Sequence, residues 1–145
     1  MTILRVDGLS KRYPAFCLRD VSFSIEEGRV MGLIGRNGAG KTTTIKSILR
    51  LVRPDGGTVQ FLGQPLDMDA SALRREPGYV SGDLCYYPRK RLSQLTAVTK
   101  SFYPSWDDKK YEALLHRFSL DEGKRVCELS AGMKVKYQLA CALSH

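Results

Sequence analysis

Apolar positions change their period along the chain, and each change predicts an element. Residues Ile3 to Val6 alternate weakly and run into Asp7-Gly8, which predicts a first strand closed by a turn. Val21-Ser22-Phe23-Ser24-Ile25 alternates in period two and predicts a second strand. Arg29-Val30-Met31-Gly32-Leu33-Ile34 is a short apolar run bounded by Gly28 and Gly35, the pattern of a buried strand. From Thr43 to Val52 the period becomes helical, with Ile45, Ile48, Leu49 and Val52 at helix spacing. The breakers Arg53-Pro54-Asp55-Gly56-Gly57 stop it, and Thr58 to Leu62 predicts a further strand closed by Gly63.

The second half reads differently. Asp69 to Arg75 predicts a short helix capped near Asp69, and Pro77 to Asp83 a buried strand running into a loop. Beyond Leu92 the breakers thin out. Helices are predicted over Ser93–Phe102 and Asp107–Phe118, the latter capped by Asp107 with Tyr111, Leu114, Leu115 and Phe118 as its apolar stripe. A last helix, Lys134–Leu143, is expected to bury Val135, Leu139, Ala142 and Leu143. The fold class is therefore α/β, with an antiparallel β layer beside the core and a helical subdomain. The division expected is residues 1–87 for the α/β core and 88–145 for the subdomain.

The junction of the third predicted strand and the first helix carries the chemistry. Gly35-Arg36-Asn37-Gly38-Ala39-Gly40-Lys41-Thr42-Thr43 fits the phosphate-loop pattern G-x-x-x-x-G-K-[ST]. Glycines let the backbone curl so that successive N–H groups form a concave anion nest. Lys41 carries a compact charge that can reach the β- and γ-phosphates, and Thr42 offers a hydroxyl to Mg²⁺. The order strand, glycine loop, helix predicts a nucleoside triphosphate site.

Composition adds boundaries. The 145 residues are 43% hydrophobic and 26% charged, as in an ordinary globular domain. No apolar run reaches the length of a membrane-spanning helix, and the first residues lack the layout of a signal peptide, so a cytosolic location is expected. Cys17, Cys85, Cys127 and Cys141 are too scattered for a zinc site or disulfide framework and are expected to be buried free thiols. The net charge of +8 suits a nucleic-acid binder or a protein working near an anionic bilayer, and does not choose between them.

A second motif gives the family. Leu129-Ser130-Ala131-Gly132-Met133, preceded by Glu128, resembles the L-S-G-G-Q signature of ATP-binding cassette (ABC) ATPases, in the L-S-x-G-M form common among exporters. The glycine loop in its G-x-N-G-A-G-K-T-T version and the run Leu18 to Ile25 resemble the same family. The resemblance implies that Tyr13 stacks on adenine and that Ser130, Ala131, Gly132 and Met133 act in trans. There they would close over an ATP bound by a second ABC ATPase subunit in a head-to-tail dimer. Phe102-Tyr103-Pro104-Ser105-Trp106-Asp107 resembles bacterial export ATPases of the ABC-2 type. It further implies a transmembrane permease subunit docking near the aromatics Tyr86, Tyr87, Phe102, Tyr103 and Trp106, and a position on the inner face of the cell membrane. No nucleic-acid partner is expected; a soluble ABC ATPase acting on nucleic acid or the ribosome, or a non-catalytic ATP-binding module, are the rival readings.

The chain departs from the family pattern in two places. Where relatives place a metal-reaching Gln, the aligned residue is Gly82, followed by Asp83, which stands as the candidate metal ligand beside Thr42. The chain also stops at His145, just short of where the family carries an apolar strand ending in Asp-Glu. Truncation before that strand is thus expected, with ATP binding, almost no hydrolysis, unpaired sheet edges and poor monomeric stability.

Overall fold

The computed structural model describes residues 1–66, 77–82 and 87–145. They fall into two compact units, Met1–Arg74 and Arg75–His145. The predicted helix 69–75 and the candidate ligand Asp83 lie outside the described residues.

The first unit is an antiparallel sheet with one helix against it. Strands β1 (Thr2–Tyr13), β2 (Phe16–Glu26), β3 (Gly56–Phe61) and β4 (Gln64–Pro65) lie in the order β2-β1-β3-β4. Helix α1 spans Lys41–Ile48. Val6, Leu9, Leu18, Val59 and Leu66 form the core, and Ile48 of α1 packs on it.

The turn predicted at Asp7-Gly8 is a bulge. Gly8 takes a left-handed φ of 63°, the register shifts between Val6 and Leu9, and the strand continues to Tyr13. Opposite it, Gly57 is required by close approach, because a Cβ there would sit 2.5 Å from the Gly8 carbonyl. The breaker cluster then anchors the strand ends together. Lys11 Nζ donates to Asp55 Oδ1 at 2.9 Å, and the Arg12 N–H donates to Asp55 Oδ2 at 2.7 Å.

Residues 29–34 do not form the predicted strand. Val30 and Ile34 are essentially fully exposed, at 101% and 95%. A strand exists only by pairing, and among the described residues no strand lies beside this run, so apolar composition alone leaves it extended. Helix α1 also stops short of Val52. Arg50 adopts φ 56°, its N–H bonds to Ser47 O and the Leu51 N–H to Lys46 O, which is a Schellman ending without glycine. The Arg50 guanidinium donates to the Leu66 carbonyl, which offsets the left-handed strain.

The second unit is helical: α2 (Leu92–Lys100), α3 (Asp108–Phe118) and α4 (Ala131–Leu143), with a 3₁₀ turn at Val126–Glu128. Asp107 caps α3 as predicted, accepting the Lys110 N–H at 3.0 Å. Tyr111 and Leu115 are buried and Leu114 and Phe118 pack against the same core. The end of α3 is again a Schellman motif, with Ser119 at φ 55° and Leu120 returning to Leu115 in the core.

Helix α4 begins earlier than predicted and buries the other side. Tyr137 and Ala140 are core residues, whereas Val135, Leu139 and Leu143 are 38%, 37% and 42% exposed. Periodicity fixed the helix but not its facing, because both sides carry apolar residues. A hydroxyl chain explains why Tyr137 goes inward. Tyr111 donates to Glu122 Oε1 at 2.9 Å, so its oxygen accepts from Thr96, 2.7 Å away, and Thr96 in turn accepts from Tyr137 at 3.1 Å. Burial drives the Tyr111 and Tyr137 hydroxyls far above their ordinary pKa, so both stay protonated donors.

Residues 77–82 are not a strand either, and Tyr79 is exposed. They lie along α4: a Cβ on Gly78 would fall on the Ala142 carbonyl oxygen, and the Gly82 N–H donates to Gln138 Oε1 at 3.2 Å. Of the described cysteines, Cys127 is exposed and Cys17 and Cys141 are part-buried, so burial is less complete than expected.

Candidate functional site

The glycine loop is continuous with the first turn of α1, which begins at Lys41. Gly38 and Gly40 hold φ of 81° and 96°, the left-handed values that let the chain coil tightly. Gly40 also has no room for a side chain, since a Cβ would sit 2.8 Å from the Phe16 ring and 2.9 Å from Leu18. Phe16 and Leu18 thus form the wall behind the loop. Sequence reasoning missed both as site residues; their signal was the alternation of β2, which puts them on the face that carries Leu18 into the core.

Lys41 bends over the loop. Its Nζ donates to the carbonyls of Gly35 at 2.5 Å and Arg36 at 2.8 Å, which fixes the ammonium above the coil. Gly40 supplies no side-chain cap and the first turn of α1 holds no acidic residue. The positive end of the helix is therefore not neutralised from within. One loop amide is committed, the Ala39 N–H donating to Arg36 O at 3.1 Å. Arg36, Asn37 and Thr42 are exposed, Thr43 is half-buried, and the Thr44 hydroxyl turns back to Gly40 O at 3.0 Å. An exposed coil of amides with a fixed ammonium and a helix N-terminus suits a polyphosphate chain.

Tyr13 sits at the end of the β1–β2 hairpin, directly opposite Phe16, which brings it to the wall of the loop. Its ring is 39% exposed, with the Lys11 ammonium 5.7 Å from the centroid. An exposed ring at this place can stack on a base. For a metal, the chain offers the Thr42 hydroxyl; among the described residues no group of three or more His, Cys, Asp or Glu could hold one.

The signature residues lie in the second unit. Ser130 caps α4, its hydroxyl accepting the Met133 N–H at 3.2 Å. Ala131 and Gly132 are exposed in the first turn and Met133 packs on the core. A Cβ on Gly132 would meet open space, so nothing inside the unit requires glycine there. Glu128 closes the preceding turn, its carboxylate accepting the Arg125 N–H.

Comparison with known proteins gives the family. The ABC transporter family matches residues 18–145. The chain is 32% identical over 127 residues to the ABC transporter ATP-binding protein YtrB of Bacillus subtilis, covering 88% of this chain and 43% of that protein. It is 32% identical over 162 residues to the phosphonates import ATP-binding protein PhnC of Treponema denticola, covering 97% of this chain and 62% of that protein. A solved structure of an ATP-binding subunit of an ABC transporter superposes with a TM-score of 0.83 at 32% identity, over 96% of this chain and 60% of that one. The chain thus spans between 43% and 62% of the length of these relatives. With the glycine loop at the head of α1 and the signature at the head of α4, the chain belongs to the ATP-binding family of ABC transporters.

Proposed function

We propose that the chain is the ATP-binding part of an ABC transporter ATPase, taking Mg-ATP at Gly35–Thr43 and Tyr13. The reading is carried by the exposed glycine coil with Lys41 fixed above it at the positive end of α1. The loop amides and Lys41 hold the phosphates, Tyr13 orients the base, and Thr42 offers its hydroxyl to Mg²⁺. When bound, Mg²⁺ supplies charge neutralisation at the β- and γ-phosphates. The open space at Gly132 suits close approach of a second subunit's nucleotide to the head of α4, as a head-to-tail dimer requires. Coupling to transport needs a permease subunit. Tyr87, Val98 and Phe102 are 65%, 59% and 63% exposed, and Tyr87, Leu95 and Val98, with Lys90, Gln94 and Thr99, line a cleft of about 260 Å³, sized for an apolar side chain of such a subunit. The protein would then sit at the inner face of the membrane; among the described residues no helix is long and apolar enough to cross it. The ABC-2 exporter assignment rests on the resemblance of Phe102–Asp107.

Titration calorimetry with Mg-ATP tests the binding. Saturable affinity is expected, weakened at least about tenfold by Lys41→Ala, in line with the ~1.5–3 kcal/mol of a charge-assisted bond. Equal affinity in the variant would sink the reading.

A further inference from the structure

In the second unit, residues 88–92 run antiparallel to residues 124–127, with Arg91 directly opposite Arg125. The Leu92 N–H donates to Lys124 O at 3.0 Å, the Val126 N–H to Lys90 O at 3.1 Å, and the Cys127 N–H to Pro88 O at 2.9 Å. The two arginines exchange no bond with each other. The Arg91 N–H donates to Gln94 Oε1 at 3.1 Å, and the Arg125 N–H to the Glu128 carboxylate. This is the narrow kind of antiparallel pair, in which opposite side chains lie closest. Leu92 and Val126, next along each segment, are buried, so alternation turns both arginines outward on one face.

Like charges placed opposite each other in a ladder destabilise it. Here the neighbours add to the charge. Arg89, Lys90 and Lys124 flank the pair, all five residues are exposed, and among the described residues none is ion-paired. The nearby carboxylates are engaged elsewhere: Asp121 accepts the Gly123 N–H, Glu122 the Tyr111 hydroxyl, and Glu128 the Arg125 N–H. Even with Glu128 beside it, the ribbon is strongly positive and calls for an anionic surface. It also borders the cleft assigned above to a permease, because Lys90 lines that cleft with the exposed Tyr87 and Val98. This position narrows the partner. Cytoplasmic loops close to a bilayer carry an excess of Lys and Arg, which the ribbon would repel. The cytoplasmic leaflet presents anionic headgroups at the same level, and tyrosine suits the headgroup layer.

We propose that the ribbon formed by residues 88–92 and 124–127 rests on the anionic lipid headgroups around the permease, so that lipid as well as protein holds the subunit in place. The inference rests on the reading of the Tyr87–Val98 cleft as a permease contact, and adds a second, lipid contact at its border.

Cys127 is an exposed thiol within the ribbon and reports on it without any substitution. Flotation of the purified chain with phosphatidylcholine vesicles, with and without phosphatidylglycerol, measures binding. Alkylation of Cys127 by iodoacetamide, read by mass spectrometry, locates it. Binding to the phosphatidylglycerol vesicles alone is expected, weakened by salt, with Cys127 alkylated severalfold more slowly in the bound chain. Arg89→Gln/Arg91→Gln/Arg125→Gln should weaken binding at least about tenfold. Lys109→Gln/Lys110→Gln/Arg117→Gln removes the same charge from exposed positions of α3 and should weaken it much less. Equal loss in the two variants, no preference for phosphatidylglycerol, or a Cys127 that reacts at its free rate in the bound chain overturns the proposal. So does protection of Cys127 by single-stranded RNA but not by vesicles. The Cys127 measurement uses the unsubstituted chain, so it decides the matter even if a variant folds poorly. The assay contains neither permease nor nucleotide, and failed vesicle binding alongside intact Mg-ATP affinity would sink the lipid contact alone.

Discussion

At Gly40 two independent constraints meet. The backbone sits at φ 96°, and the space a side chain would need is filled by Phe16 and Leu18. Gly38, at φ 81°, has open space instead. Gly38→Ala should therefore cost only the left-handed strain, about 1–2 kcal/mol. Gly40→Ala should cost clearly more and also loosen nucleotide binding, because Phe16 must move. Urea unfolding of the two variants side by side checks the order. Two aspartates make a pH prediction at the same scale. Lys11 holds Asp55, and Lys100 holds Asp108, below the ordinary carboxylate value of 3.8. A depressed folded pKa stabilises fully above the unfolded value and is lost as pH falls through the folded one. The contribution of these pairs to thermal stability should thus be complete and independent of pH near neutrality, and decline on acidification below about pH 4. Asp55→Asn should flatten that decline, as melts across an acid series would show.

Among the elements, the hydroxyl chain through Thr96 ties α2, α3 and α4 together. Thr96→Val keeps the shape and removes both bonds, leaving a buried tyrosine hydroxyl without its acceptor, at a cost of about 1–3 kcal/mol. Thr96→Ser should recover most of it; equal loss in both, measured by denaturant midpoints, would place the effect in packing instead. The elements also show what could be read in advance. The glycine loop, the Asp107 cap and the α3 stripe were legible because each depends on neighbours within one turn of chain. The strand at 29–34 was not, because a ladder needs a partner that local pattern cannot supply. Nor was the facing of α4, where Val135, Leu139 and Leu143 were as apolar as the residues that went inside. Tyr137 was chosen for the core by a hydrogen bond to Thr96, 41 positions away. Phe16 and Leu18 escaped notice as parts of the site for the same reason: their role appears only once the hairpin is laid against the loop.

For the molecule as a whole, exposed apolar surface among the described residues gathers around Val30 and Ile34 in the first unit, and at Tyr87, Val98 and Phe102 and along the outer side of α4 in the second. Such surfaces favour association. Sedimentation of the purified chain should show mass rising with concentration, and Val30→Ser/Ile34→Ser should lower that tendency. A concentration-independent monomer would count against it.

The empty space beside Gly132 has a consequence of its own. A methyl group there obstructs nothing in this polypeptide, and alanine favours a helix over glycine by about 1 kcal/mol. Gly132→Ala should accordingly make the protein slightly sturdier. If the head of α4 receives another subunit's nucleotide, the same change should cripple turnover in the assembled transporter. A substitution that hardens the fold while silencing the machine would mark this glycine as kept for the benefit of a neighbour.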